Sequence, residues 1–83
     1  MRTIEQRIYD IIAEISDRPS QPMTPFFELG CDSLDMVEME MRLEREFDIY
    51  FPATSVANRI ITTMTAHDVV CLVEYEYLKI PKE

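Results

Sequence analysis

The chain has a single glycine, Gly30, among its 83 residues, and this scarcity restricts the folds that it can adopt. Tight hairpins, sandwiches of short strands and glycine-rich phosphate loops all need backbone at positive φ, which glycine adopts most readily. Hydrophobic residues make up 47% of the chain and charged residues 29%, a balance typical of a folded protein. We therefore expect one small domain over residues 1–83, with a modest core.

An excess of acidic side chains narrows the classes of partner. Sixteen acidic against eight basic residues give a net charge of −8. Nucleic acid and anionic membranes would repel such a protein, whereas basic protein surfaces would attract it. No stretch of the sequence approaches the ~20 consecutive apolar residues of a membrane span, and the first seven residues lack the pattern of a signal peptide. We expect a cytoplasmic monomer that neither crosses a membrane nor binds nucleic acid.

The few cysteine and histidine residues argue against a metal or catalytic site. Cys31 and Cys71 are far apart in the sequence, and such a pair in a chain without a signal peptide is expected to be free thiols. His67, the only histidine, is not at ligand spacing from Cys31, so we expect no metal. Ser33 and His67 have no recognisable third group that would orient them for nucleophilic hydrolysis, so we expect no catalytic residue.

The spacing of isoleucines predicts the first helix. From Ile4 to Ile15 they recur at steps of three and four and form one face of a helix over about residues 3–16. Thr3 and Gln6 have the spacing of a capping box at its start. The proline-rich segment that follows cannot continue a helix and is expected to be a long loop.

The rest of the chain predicts three further helices. Their expected bounds are about residues 33–48, 53–60 and 65–78. Pro52 is suited to begin the short one, and Thr65 can cap the last. We expect Phe26, Phe27 and Leu29 to be buried at the end of the long loop, because they are too apolar to be left in water. The predicted fold is all-α, a small four-helix bundle with three longer helices, one short third helix and a long first loop.

The second predicted helix has two apolar faces. At about 100° per residue, one face contains Met36, Met39, Leu43 and Phe47. The roughly opposite face contains Leu34, Val37 and Met41, with Asp35 and Glu38 beside it. The first face is expected to pack on the core. An exposed apolar strip with a border of carboxylates is typical of a protein-docking surface, unless the short third helix covers it.

Ser33 lies at the start of the second helix, directly before this apolar strip. The unpaired amides and the dipole of a helix N-terminus favour anions, so a phosphate on Ser33 would be tolerated there. Asp32 and Asp35 would oppose it. For an isolated Asp-Ser-Leu tripeptide, a role as a helix start or cap is the more common one.

The run from Phe26 to Asp35, continued by 44–49 and Pro52, resembles the acyl carrier proteins. The core signature of that family is Leu-Gly-x-Asp-Ser-Leu, followed by an acidic amphipathic helix, a Glu-x-Glu-Phe-Asp segment and a proline. All of these elements occur here in order. The first and last predicted helices are also similar to those of the family, so the resemblance covers nearly the whole chain.

The resemblance implies a four-helix carrier that is not an enzyme. In the family, the serine at the position of Ser33 receives 4′-phosphopantetheine from coenzyme A through a separate transferase. The thiol of this arm holds acyl groups as thioesters, which acyl-loading and condensing enzymes with basic docking patches then use. The apolar strip corresponds to the family's docking residues, Leu34, Val37 and Met41. Asp35, Glu38 and Glu44 match its salt-bridging acids. Some members also shelter the acyl chain between helices.

Several residues depart from the family pattern and leave the pathway open. Glu40 and Arg42 lie where primary carriers usually have apolar or small residues, and the segment 53–59 replaces a common acidic run. These departures favour a specialised carrier in fatty acid, lipid or polyketide-type biosynthesis. A carrier of aminoacyl or D-alanyl groups is an alternative. An unmodified acidic helical adaptor that docks through the apolar strip alone is another.

Overall fold

The first, second and last predicted helices are all present. The computed structural model describes residues 2–16, 18, 21–52 and 59–81. Within these ranges the helices are α1 (Ile4–Ser16), α2 (Ser33–Phe47) and α3 (Ala66–Cys71), with a 3₁₀ turn at Phe26–Leu29 and a π-helical turn at Leu72–Tyr77. The strand-like pairing found among the described residues is one bridge between Pro25 and Thr65. The predicted helical class is thereby confirmed.

The short third helix, predicted at 53–60, is not tested, because residues 53–58 lie outside the described residues. Arg59 and Ile60 are described and are not helical. The four-helix arrangement and the single-domain extent therefore stay predictions. The radius of gyration of 11.8 Å agrees with the value of about 12 Å expected for a compact chain of this length.

Side-chain caps define the starts of α1 and α3 as predicted. At α1, Thr3 Oγ1 accepts a hydrogen bond from the Gln6 amide, and Gln6 Oε1 accepts one from the Thr3 amide, each at 3.1 Å. At α3, Thr65 and Asp68 form the same reciprocal pair at 3.0 and 3.2 Å. Each box satisfies two amides that the helix itself leaves unpaired, which explains why both helices begin within one residue of the predicted position.

The core lies between α1, α2 and α3, and the predicted apolar faces supply it. Its largest fully buried side chains are Ile8, Ile12, Phe26, Met39, Leu43, Val69 and Val73. Burying each such side chain contributes roughly 1.5–3 kcal/mol. Phe27 is a correction, because its side chain is exposed although it was expected to be buried with Phe26 and Leu29. The 3₁₀ turn directs Phe26 and Leu29, which are three residues apart and share a face, into the core.

Ion pairs at the surface link α1 to α2. Arg7 Nε lies 2.7 Å from Glu46 Oε2, and the Arg7 guanidinium lies 4.6 Å from the centre of the Phe47 ring. Arg42 pairs with Glu14 across the same two helices. These groups are substantially exposed, so each pair contributes about 0–1 kcal/mol, and most of the helix packing energy comes from the core.

Both C-terminal helix ends depart from ordinary α geometry. Asp48 ends α2 in the left-handed conformation, at φ 56° and ψ 49°, one residue before the predicted end of this helix. After α3 the chain continues as the π-helical turn, which was not predicted, and the Leu78 amide donates to the Val73 carbonyl at 2.8 Å. This turn places the Tyr77 ring 4.7 Å from the Phe51 ring, centre to centre. Among the described residues, no helix is long and apolar enough to cross a membrane.

Candidate functional site

Ser33 is the first residue of α2, and its side chain is exposed. The helix is capped by its neighbour: Asp32 Oδ1 accepts from the Asp35 amide, and Asp35 Oδ2 accepts from the Asp32 amide, both at 3.0 Å. Because Asp32 provides the cap, the alternative role of Ser33 as the capping residue is wrong. The Ser33 hydroxyl is therefore presented to solvent at a helix start that does not depend on it.

The segment before Ser33 is held against the core. The Phe26 amide donates to the Met64 carbonyl and the Phe27 amide to the Thr62 carbonyl, each at 3.0 Å. Gly30 then turns the chain at φ 84°, a conformation that other residues adopt only at a cost, and this explains the position of the single glycine. The serine thus follows a rigid, buried anchor rather than a free loop.

The second apolar face of α2 is exposed, as the docking hypothesis requires. The exposed fractions are 77% for Leu34, 42% for Val37 and 53% for Met41. On the opposite side, Met36, Met39 and Leu43 are buried. The two-faced character predicted for this helix is confirmed. We refer to Leu34, Val37 and Met41 as the apolar strip.

The three acids expected to contact partners differ in their surroundings. Asp35 belongs to the capping box described above. Glu38 is exposed, and its Oε2 atom lies 3.0 Å from Arg42 Nη2. Glu44 is half-buried, and its Oε2 accepts from the Phe51 amide at 2.8 Å. Glu38 is thus the acid whose position most favours contact with a partner, whereas Glu44 also holds the chain where it leaves α2.

A groove of about 320 Å³ begins beside Ser33. One wall is the α2 face that contains Ser33, Met36, Val37 and Glu40, and the other is the segment 59–62. Most of the lining is apolar. Ile60, at the base of this segment, is buried, and Ile61 is partly exposed at the surface. The groove therefore connects the exposed serine to the edge of the core.

Glu40 is the site residue whose role was missed. It was placed among the solvated acids of α2, but its exposed fraction is only 7%. Its Oε2 atom accepts from the Ile60 amide at 3.1 Å, and Oε1 lies 3.6 Å from Arg59 Nε. A buried carboxylate needs such partners to offset its desolvation. The signal available in the sequence was the occurrence of an acid at a position where the family is usually apolar.

The remaining chemically reactive side chains form no further centre. His67 Nε2 lies 3.6 Å from Cys71 Sγ, one turn along α3, which accounts for the histidine in the first turn as expected. Cys31 and Cys71 are free. Within the described residues there is no group of three or more histidine, cysteine or acidic side chains placed to hold a metal ion.

Cys31, two residues before Ser33, is a buried thiol of low reactivity. Burial raises its pKa above the ordinary value of 9.0, and the charges of Asp35 and Asp32 raise it further. Less thiolate is therefore present at a given pH, so the expected lack of reactivity has a physical basis. The folded-state pKa lies above the unfolded one, so the associated stability is present at neutral pH and is lost as pH rises through the folded-state value.

We expect native Cys31 to react with iodoacetamide at pH 8 at least about tenfold more slowly than the same residue in the urea-unfolded chain. Peptide mapping by mass spectrometry would give both rates. Cys71 is the internal control, since its side chain is less buried. Equal native and unfolded rates at Cys31 would contradict the inferred environment.

A comparison with protein families decides the class of the chain. The model of the family described as the phosphopantetheine attachment site matches residues 6–67. The chain belongs to this family. The phosphopantetheine-attachment domain is the site of covalent 4′-phosphopantetheine attachment, so the predicted cofactor is confirmed. Domains of this family are generally non-catalytic carriers that work with transferases and biosynthetic enzymes. No solved structure gives a significant match to this phosphopantetheine-binding chain.

Proposed function

We propose that the protein is an acyl carrier that holds acyl intermediates as thioesters on 4′-phosphopantetheine attached to Ser33. The exposed hydroxyl of Ser33 at the start of α2 carries the proposal. A separate transferase forms the bond from Ser33 Oγ to phosphorus while a phosphoanhydride bond of coenzyme A breaks and the hydroxyl proton is lost. The bound arm supplies a terminal thiol for thioester chemistry. The protein itself supplies position and recognition and is not an enzyme.

The surroundings of Ser33 fit such an attachment. The hydroxyl is accessible to a second protein, and the helix cap does not use it. The first-turn amides of α2 and the helix dipole favour a phosphodiester at this end. A flexible tether then delivers a thioester at high effective concentration to enzymes docked nearby. Each of these properties supports Ser33 as the attachment point.

The apolar strip and its acids form the proposed partner-binding surface. Exposed leucine and methionine at the centre of such a patch supply burial, whereas Asp35, Glu38 and Glu44 steer basic partners toward it. The transferase, acyl-loading enzymes and condensing enzymes would share this surface. The acidic surface and the acyl-carrier motif favour fatty acid, lipid or polyketide-type biosynthesis as the setting. The cytoplasmic location stays a prediction.

The test is the intact mass of the protein after incubation with coenzyme A and a broad-specificity phosphopantetheinyl transferase. We expect the mass of one phosphopantetheine to be added, and peptide mapping to place it on Ser33. A protein that stays unmodified would support the unmodified adaptor instead. Subsequent loading by acyl- and aminoacyl-specific ligases would distinguish the acyl carrier from the aminoacyl or D-alanyl carrier.

We expect Leu34→Asp to lower kcat/KM for modification by the transferase about tenfold or more, because it replaces the most exposed apolar side chain of the strip with a charge. The matched control is Tyr50→Asp, which makes the same change in charge at an exposed aromatic residue beyond the other end of α2. We expect that control to stay within about twofold of the wild type. Equal losses in the two variants would remove the strip from the docking surface.

A further inference from the structure

The groove beside Ser33 contains a charged group at a depth that an apolar binding site would not require. Glu40 follows Ser33 by seven residues, which corresponds to about 10 Å along α2 and nearly the same face of the helix. Met36 and Val37 line the groove between them. A group that enters from the serine end therefore passes apolar side chains first and then reaches the carboxylate.

The Glu40 carboxylate can accept more hydrogen bonds than the protein supplies. Its Oε2 accepts from the Ile60 amide at 3.1 Å, and its Oε1 lies near Arg59 Nε at 3.6 Å. An ionised carboxylate offers about four acceptor positions. Because the residue is 7% exposed, a ligand that fills the groove would displace the remaining water from it. An alkyl group would offer no hydrogen bond in return, which makes its entry unfavourable.

The volume of the groove sets the size of the ligand. At about 320 Å³ it lies at the lower end of small-molecule sites, which typically range over about 300–1,000 Å³. It therefore suits a short acyl group rather than a long fatty chain. The apolar wall next to Ser33 suits carbon atoms, and the deeper Glu40 suits a polar substituent.

We propose that this groove binds short acyl groups that carry a hydrogen-bond donor, a hydroxyl or an amine, and that Glu40 accepts the hydrogen bond from that donor. The inference rests on the proposed attachment of the arm to Ser33 and specifies which cargo is sheltered there. Glu40 is a positioning residue for the cargo and for the segment 59–60. An unsubstituted alkyl group of equal length stays outside the groove.

The test uses the full chain loaded with hydrolysis-resistant amide analogues of three acyl groups of equal length: hexanoyl, β-hydroxyhexanoyl and β-aminohexanoyl. The readout is the NMR shift of the Ile60 amide, whose hydrogen bond to Glu40 would respond to a bound donor. We expect the ratio of sheltered to exposed cargo to be roughly 2- to 10-fold higher for the donor-bearing groups. If the hydroxyl and amine arms differ, the one with the larger shift identifies the class of cargo.

Two variants separate the role of the carboxylate from that of the fold. Glu40→Gln keeps an acceptor for the Ile60 amide and should retain part of the preference for the hydroxyacyl group. Glu40→Met removes the acceptor and should reverse the preference toward hexanoyl. Failure of the wild type to load at all, measured by mass, would contradict the proposed function. Successful loading with an Ile60 shift that is the same for hexanoyl and β-hydroxyhexanoyl would overturn the inference alone.

Discussion

Ser33→Ala should abolish the mass gain from phosphopantetheine completely, because alanine has no oxygen to form the phosphodiester. The physical reason for an all-or-none effect is that Ser33 supplies a reacting atom rather than a contact. We expect the variant to stay folded, since Asp32 and Asp35 form the helix cap and alanine is a good helix former. Its stability should lie within about 0.5 kcal/mol of the wild type, measured by urea unfolding.

The control for this variant is Thr63→Ala, which removes an exposed hydroxyl in the turn after the segment 59–62. It should be modified as fully as the wild type under the same conditions. Modification of Ser33→Ala would show that another side chain accepts the arm. In that case the exposed position of Ser33 at the start of α2 would have no functional meaning.

Phe26→Ala should lower the free energy of unfolding by about 3–5 kcal/mol, the usual range for removing a fully buried phenylalanine. The Phe26 side chain has 0% exposure, and its backbone also connects the 3₁₀ turn to Met64 and Cys31. A small domain has a total stability of about 5–15 kcal/mol, so the loss would leave much of the population unfolded near the melting temperature of the wild type. Urea titration followed by circular dichroism would measure it.

Phe27→Ala provides a matched control at the next residue. Its side chain is 54% exposed, so the same change in composition should cost less than about 1 kcal/mol. Similar losses in the two variants would mean that both rings contribute to the core, against the described orientation. The pair also separates an effect of side-chain burial from an effect on the 3₁₀ turn, which the two residues share.

The helices could be predicted from the sequence because local interactions determine where they begin. The reciprocal pairs Thr3 with Gln6 and Thr65 with Asp68 lie within one turn of each other, so residue type and spacing alone indicate them. The two apolar faces of α2 follow from a fixed angle per residue and were also predicted. Ser33 was singled out by its motif, and its exposure agrees with the role proposed for it.

The features that were missed depend on distant parts of the chain. A helical wheel places Glu40 at an angle around α2, but it does not show that Ile60, twenty residues later, returns to cover it. The same is true of Glu44, whose bond to the Phe51 amide depends on how the chain leaves the helix. Phe27 was misplaced because apolar character predicts burial without indicating which residues of a tight turn point inward.

The π-helical turn at Leu72–Tyr77 has a consequence for how this protein can change in evolution. A π turn acts like one residue inserted into an α-helix, so it rotates everything after it by about 100°. Deleting a single residue there would allow a regular helix but would swing Tyr77 away from the Phe51 ring. The number of residues in this segment, more than their chemical type, therefore indicates which homologues close the end of the bundle in the same way.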